Sequence, residues 1–327
     1  MGTFAGHALP GSFFIFFSLW AAYYLLRNFY RRLAYDLGKS SVEASTYVSR
    51  IAYPMPKNVC CGRRNFPLDS YAKMITCTIG IIGELITGFN ASWVFVHFGN
   101  LQHIAMYTAF GLGGFVELMV FYGCIKTSFQ VEYVFNIIAL VAEAFLFGFH
   151  LHGRTPVDIF IHMLLFGMVL VSLGFGFCEM LNPYQPTYAL LRLWGLLMQG
   201  TWFWQVGAIL YPAASWMPTW DEVSKQSFPR AANLFCYHML INFVALVTIA
   251  GAMSLRVGRL TAQSVNKSRA ILSASPNHSS TSNLENAKGA NSQDDHINAH
   301  NGGNETMLEF EMKEDETTLF VAPNGQI

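Results

Sequence analysis

Ten histidines occur in the chain, and seven of them fall in its apolar part: His7, His97, His103, His150, His152, His162 and His238. An ionisable side chain inside a membrane-spanning segment is costly, so each of the seven raises the question of a functional site. Asp158 precedes His162 by four residues, one helical turn. A carboxylate so placed can fix the ring's tautomer, as carboxylates do behind metal-bound histidines. Glu143 and His150 are seven apart and share a helix face. His150 and His152 are two apart and cannot both point the same way on an intact helix. Three or four imidazoles with carboxylate support suit a divalent ion, and zinc takes three His plus water. The expected metal ligands are His150, His162 and His238, with His103 or His152 as the fourth. Asp158 and Glu143 would orient ligands or act as general base. Metal-bound water, its pKa drawn toward ~7, would then hydrolyse a lipid-like substrate. No HExxH motif or cysteine framework adds local support. The expectation rests on depth, because all seven histidines fall toward one side of the membrane.

That depth follows from the elements that carry them. Hydrophobic residues make up 53% of the 327 residues and charged residues only 12%, with 20 basic against 20 acidic side chains. Such a balance excludes a disordered chain, a basic nucleic-acid binder and a small disulfide scaffold. It leaves a multi-pass membrane protein whose partner is the lipid bilayer. Apolar runs near residues 10–30, 73–96, 101–124, 130–149, 156–181, 187–211 and 231–255 are each long enough, at ~1.5 Å per residue, to cross a ~30 Å hydrocarbon core. The first run lacks a preceding basic segment and a clear cleavage site, and reads as a retained helix. The expected fold is an all-α seven-transmembrane-helix bundle over residues 1–258, followed by a disordered polar tail over 259–327.

Seven cations lie between the first two runs: Arg31, Arg32, Lys39, Arg50, Lys57, Arg63 and Arg64. By the positive-inside rule this loop is cytoplasmic, the N-terminus is outside or lumenal, and the C-terminus is cytoplasmic. The tail is rich in Ser, Asn, Asp, Glu and Gly, and too polar to bury a core. Cys60 and Cys61, beside Arg63 and Arg64, suit S-palmitoylation. Cys77, Cys124, Cys178 and Cys236 read as packing residues. Glu84, in mid-membrane, is expected to be neutral or paired. Trp202, Trp204, Trp216 and Trp220 suit an interfacial aromatic belt.

Four stretches together resemble the transmembrane protein 45 family. They are Gly6-His7-Ala8-Leu9-Pro10-Gly11, the run from Glu143-Ala-Phe to His150-Leu-His152-Gly153-Arg154, Asp158-Ile-Phe-Ile-His162, and Gln199-Gly-Thr-Trp202-Phe. The resemblance implies a multi-pass protein of endomembranes with no established activity. A more distant likeness, in architecture alone, is to the seven-helix alkaline ceramidase and adiponectin-receptor group, which hydrolyses lipid amides with an intramembrane zinc. Two readings compete with a metal-dependent hydrolase: a non-enzymatic trafficking or scaffold protein, and a proton-coupled transporter using Glu84, Glu117 and the histidines as a relay.

Overall fold

The computed structural model describes residues 3–36, 47–56, 65–125, 130–149, 151 and 153–274. Among these the fold is all-helical: α1 (Phe4–Asp36), α2 (Leu68–Gly88), α3 (Phe98–Phe121), α4 (Val131–Phe149), α5 (Pro156–Leu181), α6 (Pro186–Leu210) and α7 (Ser227–Ala274). Five of the seven, α1, α3, α4, α5 and α7, are long and apolar enough to cross a membrane. Residues up to Ser254 form one compact unit, and Leu255 begins a second.

Helix ends depart from the expected ones for local reasons. Helix α1 starts not at Pro10 but just after Thr3, whose hydroxyl accepts a hydrogen bond from the Gly6 amide at 3.0 Å. This side-chain cap adds a turn and a half ahead of the proline and places His7 on the helix. Helix α2 stops at Gly88, short of the expected end at 96. The Asn90 side chain accepts from the Ser92 and Val94 amides, both at 2.9 Å. Asn side chains that bond the backbone ahead of them favour turns over helix. Helix α7 runs on to Ala274, past the expected end at 255.

Helices α2 to α6 pack in chain order, each against the next. Helix α1 lies along α6 and touches α2, which closes a ring of six. Helix α7 is applied to α6 from outside: Trp194 donates to the Met239 carbonyl at 3.2 Å, and Asn242 donates to the Thr201 hydroxyl at 2.7 Å. In lipid, burial of apolar surface does not drive helices together, so close packing and polar contacts must. The α1–α6 seam shows this. A Cβ on Gly11 would stand 2.7 Å from the Gly200 carbonyl oxygen, and a Cβ on Gly200 would stand 2.8 Å from the Gly11 carbonyl oxygen. Only two glycines let the backbones come this close.

Inside the ring, four phenylalanines from four helices form one layer. Phe14 of α1 stacks on Phe203 of α6 at 6.0 Å between centroids and meets Phe110 of α3 edge-on at 5.6 Å. Phe147 of α4 reaches Phe203 at 5.8 Å. Polar groups lie on both sides of this layer.

Candidate functional site

On one side is the histidine end. Helix α5 begins at a Thr155 cap, whose hydroxyl oxygen accepts from the Asp158 amide at 3.3 Å, with Pro156 in the first turn. Both features are favoured at helix starts. The first turns then project Asp158 and His162 from one face. His162 is 2% exposed. Its Nδ1 donates to the Asp158 carboxylate at 2.7 Å and lies 2.9 Å from the Asp158 carbonyl. Both partners are acceptors, so Nδ1 carries the hydrogen and a neutral ring turns its Nε2 lone pair outward. Arg154 holds the same carboxylate through Nη1, 3.0 Å from each oxygen.

His7 of α1 faces this pair. Its ring stands edge-on to His162 at 5.9 Å and lies 5.4 Å from the Tyr211 ring. Its Nδ1 donates to the Thr3 carbonyl at 2.9 Å, which again leaves Nε2 as the acceptor on a neutral ring. Tyr211 ends α6. Burial pushes its phenol up, with Asp158 adding to the shift and Arg154 opposing it. The loop after α6 is tied across this end. The Thr155 hydroxyl donates to the Glu222 carboxylate at 2.7 Å, and the Val157 amide donates to the Glu222 carbonyl at 3.2 Å.

On the far side of the phenylalanine layer, Glu143 of α4 is fully buried. Among the described residues no hydrogen-bond donor reaches either of its carboxyl oxygens, and the Gln199 Oε1 of α6 is likewise unpartnered. The opposite end of the ring is closed by the segment before α2. Ser49 and Tyr133 donate to Glu179 Oε1 at 2.8 and 2.9 Å, and Arg192 donates to its other oxygen through Nε at 2.5 Å. Burial and then the Glu179 charge push the phenol of Tyr53, in that segment, up to about 12. Nearby, Lys73 pairs with Glu117, which also accepts from the Ser70 hydroxyl at 2.9 Å.

Of the expected metal ligands, the structure describes His103, His162 and His238. His150 and His152 lie outside the described residues. His103 bonds Glu84 of α2 at 3.0 Å, so Glu84 is paired as expected. His238 packs edge-on to Trp202 at 5.6 Å. Among the described residues no three His, Cys, Asp or Glu side chains are grouped to hold a metal ion. The described donors therefore do not offer zinc the converging set it needs. Glu143 makes no hydrogen bond to a described histidine, and His150, with which it shares a helix face, lies outside the described residues. The Asp158 carboxylate bonds His162 one turn further along α5. Trp202 is core and not belt: it is fully buried and its indole donates to the Ile161 carbonyl at 2.9 Å. Of the cysteines read as packing residues, Cys77 is buried, whereas Cys124 and Cys236 are exposed. Cys60 and Cys61 lie outside the described residues.

Sequence reasoning missed two features. His7 was expected ahead of the first helix, because Pro10 hid the Thr3 cap. Arg192 and Glu179 each sit in an apolar run, but their pairing crosses from α6 to α5 and has no local signature.

These spans, with buried polar groups facing the ring and apolar side chains facing out, define an integral, multi-pass membrane protein. A family model described as a family of unknown function, DUF716, matches residues 130–252. Transmembrane epididymal protein 1A of Mus musculus is 22% identical over 270 residues, covering 78% of this chain and 82% of its own length. Transmembrane epididymal protein 1 of Homo sapiens is 26% identical over 153 residues, covering 47% of this chain and 56% of its own. The family match takes in α4, α5 and α6, and so holds Glu143, Asp158, His162 and Gln199.

Proposed function

We propose that the chain is a proton-translocating membrane protein whose path runs through the interior of the six-helix ring. The observation that carries this reading is the Asp158–His162 pair with His7 opposite. A carboxylate fixes one nitrogen of a buried imidazole and leaves the other as a proton acceptor. Two facing imidazoles, each with an open Nε2, can pass a proton between them. Glu143 is a buried carboxyl group past the phenylalanine layer. The layer closes the path in the present conformation, so passage needs it to open. This reading keeps the acid–base part of the expected hydrolase and dispenses with the metal. The N-terminus lies outside or in the lumen, with the histidine end on that side, as the seven cations between α1 and α2 imply. The resemblance to the transmembrane protein 45 family, carried by its four short stretches, belongs to the same reading.

The test uses purified protein in vesicles loaded with a pH-sensitive dye. A potassium diffusion potential, negative inside, should drive proton entry through the wild type. Asp158→Asn should slow it, because the amide can present its own N–H to His162 and release the tautomer. Proton entry no faster than in protein-free vesicles would contradict the proposal.

A further inference from the structure

The histidine end does not account for the groups beneath the phenylalanine layer. Helices α4 and α6 run parallel, since each is antiparallel to α5: Tyr133, early in α4, meets Glu179, late in α5, and Trp202, late in α6, meets Ile161, early in α5. Phe147 and Phe203 touch across the ring. Glu143 and Gln199 each precede these by four residues, so they occupy one level, a turn below the layer. Both are fully buried.

The Gln199 amide has a fixed orientation. Its Nε2 donates to the Met168 carbonyl at 3.3 Å and to the Ser172 hydroxyl at 2.9 Å. A carbonyl only accepts, so turning the amide over would set oxygen against oxygen. Oε1 must therefore face away from α5, and among the described residues it has no donor. This level is rich in oxygen acceptors and poor in hydrogen. A proton on Glu143 could be donated to Gln199 Oε1 and would still leave the second carboxyl oxygen bare. A cation can take several oxygens at once, and hard cations prefer oxygen ligands. One carboxylate balances one positive charge. A divalent ion would leave a net charge in a low-dielectric interior, which is strongly disfavoured.

We infer that Glu143 and Gln199 form a binding site for a monovalent cation, sodium being the probe that tests it. The site deepens the reading above by naming what exchanges with protons across the ring. The binding test needs no transport, so either idea can fail alone.

Thermal unfolding of the full chain in detergent should be compared in sodium chloride and choline chloride at equal ionic strength. A ligand that binds only the folded state stabilises it, and saturating sodium should raise the midpoint by about 5–10 °C. Glu143→Gln should abolish the difference, and Gln199→Leu should reduce it. Should Glu143→Gln not fold, radioactive sodium binding to the wild type, displaced by unlabelled sodium and not by choline, gives the same answer. A wild type that melts alike in the two salts would overturn the site. So would a midpoint that rises with acid but not with sodium, since a proton would then be the occupant. An equal sodium effect in folded Glu143→Gln would place the ion elsewhere and overturn it too.

Discussion

Glu179 shows how a charge is kept inside the ring. Ser49, Tyr133 and Arg192 all donate to it, and both Glu179 and Arg192 are nearly inaccessible. A buried pair adds little over a well-packed apolar pair, yet removing one partner strands the other. Arg192→Leu should therefore cost about 3–5 kcal/mol. Most of that should return in Arg192→Leu/Glu179→Leu. Unfolding midpoints of the four proteins in detergent measure it, and additive single losses would argue against the pair. The Asp158–His162 contact was legible because one turn separates the two residues. His7 was not, because its place depends on a helix that starts ahead of a proline. Glu179 and Arg192 were not either, since nothing in one helix says which charge in another will face it.

At the scale of elements, the α1–α6 seam is the most sensitive contact. Val at Gly11 would drive its Cβ into the Gly200 carbonyl and its methyls toward Phe203 and Trp204. Backbone cannot yield as a flexible side chain can, so the helices must separate. Overpacking of this kind costs about 1–3 kcal/mol. Gly11→Val should lower the unfolding midpoint, while Gly83→Val, with open space around its Cβ, should change it far less. Equal losses would show that valine's helix propensity, and not the seam, is responsible. The apolar runs revealed each helix, because length and hydropathy are local. Their ends were less legible, as side-chain turns such as Asn90 and caps such as Thr3 override the hydropathy profile. Trp202 was read as interfacial because its neighbours are tryptophans, but its face of α6 turns toward α5.

For the whole molecule, orientation and path are linked. Engineered glycosylation sites ahead of Phe4 should be modified, and sites in residues 37–46, between α1 and α2, should not. The reverse pattern would invert the protein and move the histidine end to the cytoplasmic side. The ring itself was not readable from sequence. Short connections imply that α2 to α6 are neighbours in order, but the return of α1 to α6 depends on two glycines 189 residues apart. The layer of four phenylalanines, drawn from four helices, has the same long-range origin.

The central claim is that protons cross through the ring by way of His162. The most direct test is potential-driven proton entry into sealed vesicles bearing wild type, His162→Ala or Val244→Ala at equal protein density. Val244 is exposed on α7, outside the ring. Loss of a positioned proton-transfer group costs about 10²-fold or more. His162→Ala should therefore fall to the rate of protein-free vesicles, with its unfolding midpoint showing that it remains folded, while Val244→Ala keeps the wild-type rate. A folded His162→Ala that admits protons as fast as the wild type would contradict the account.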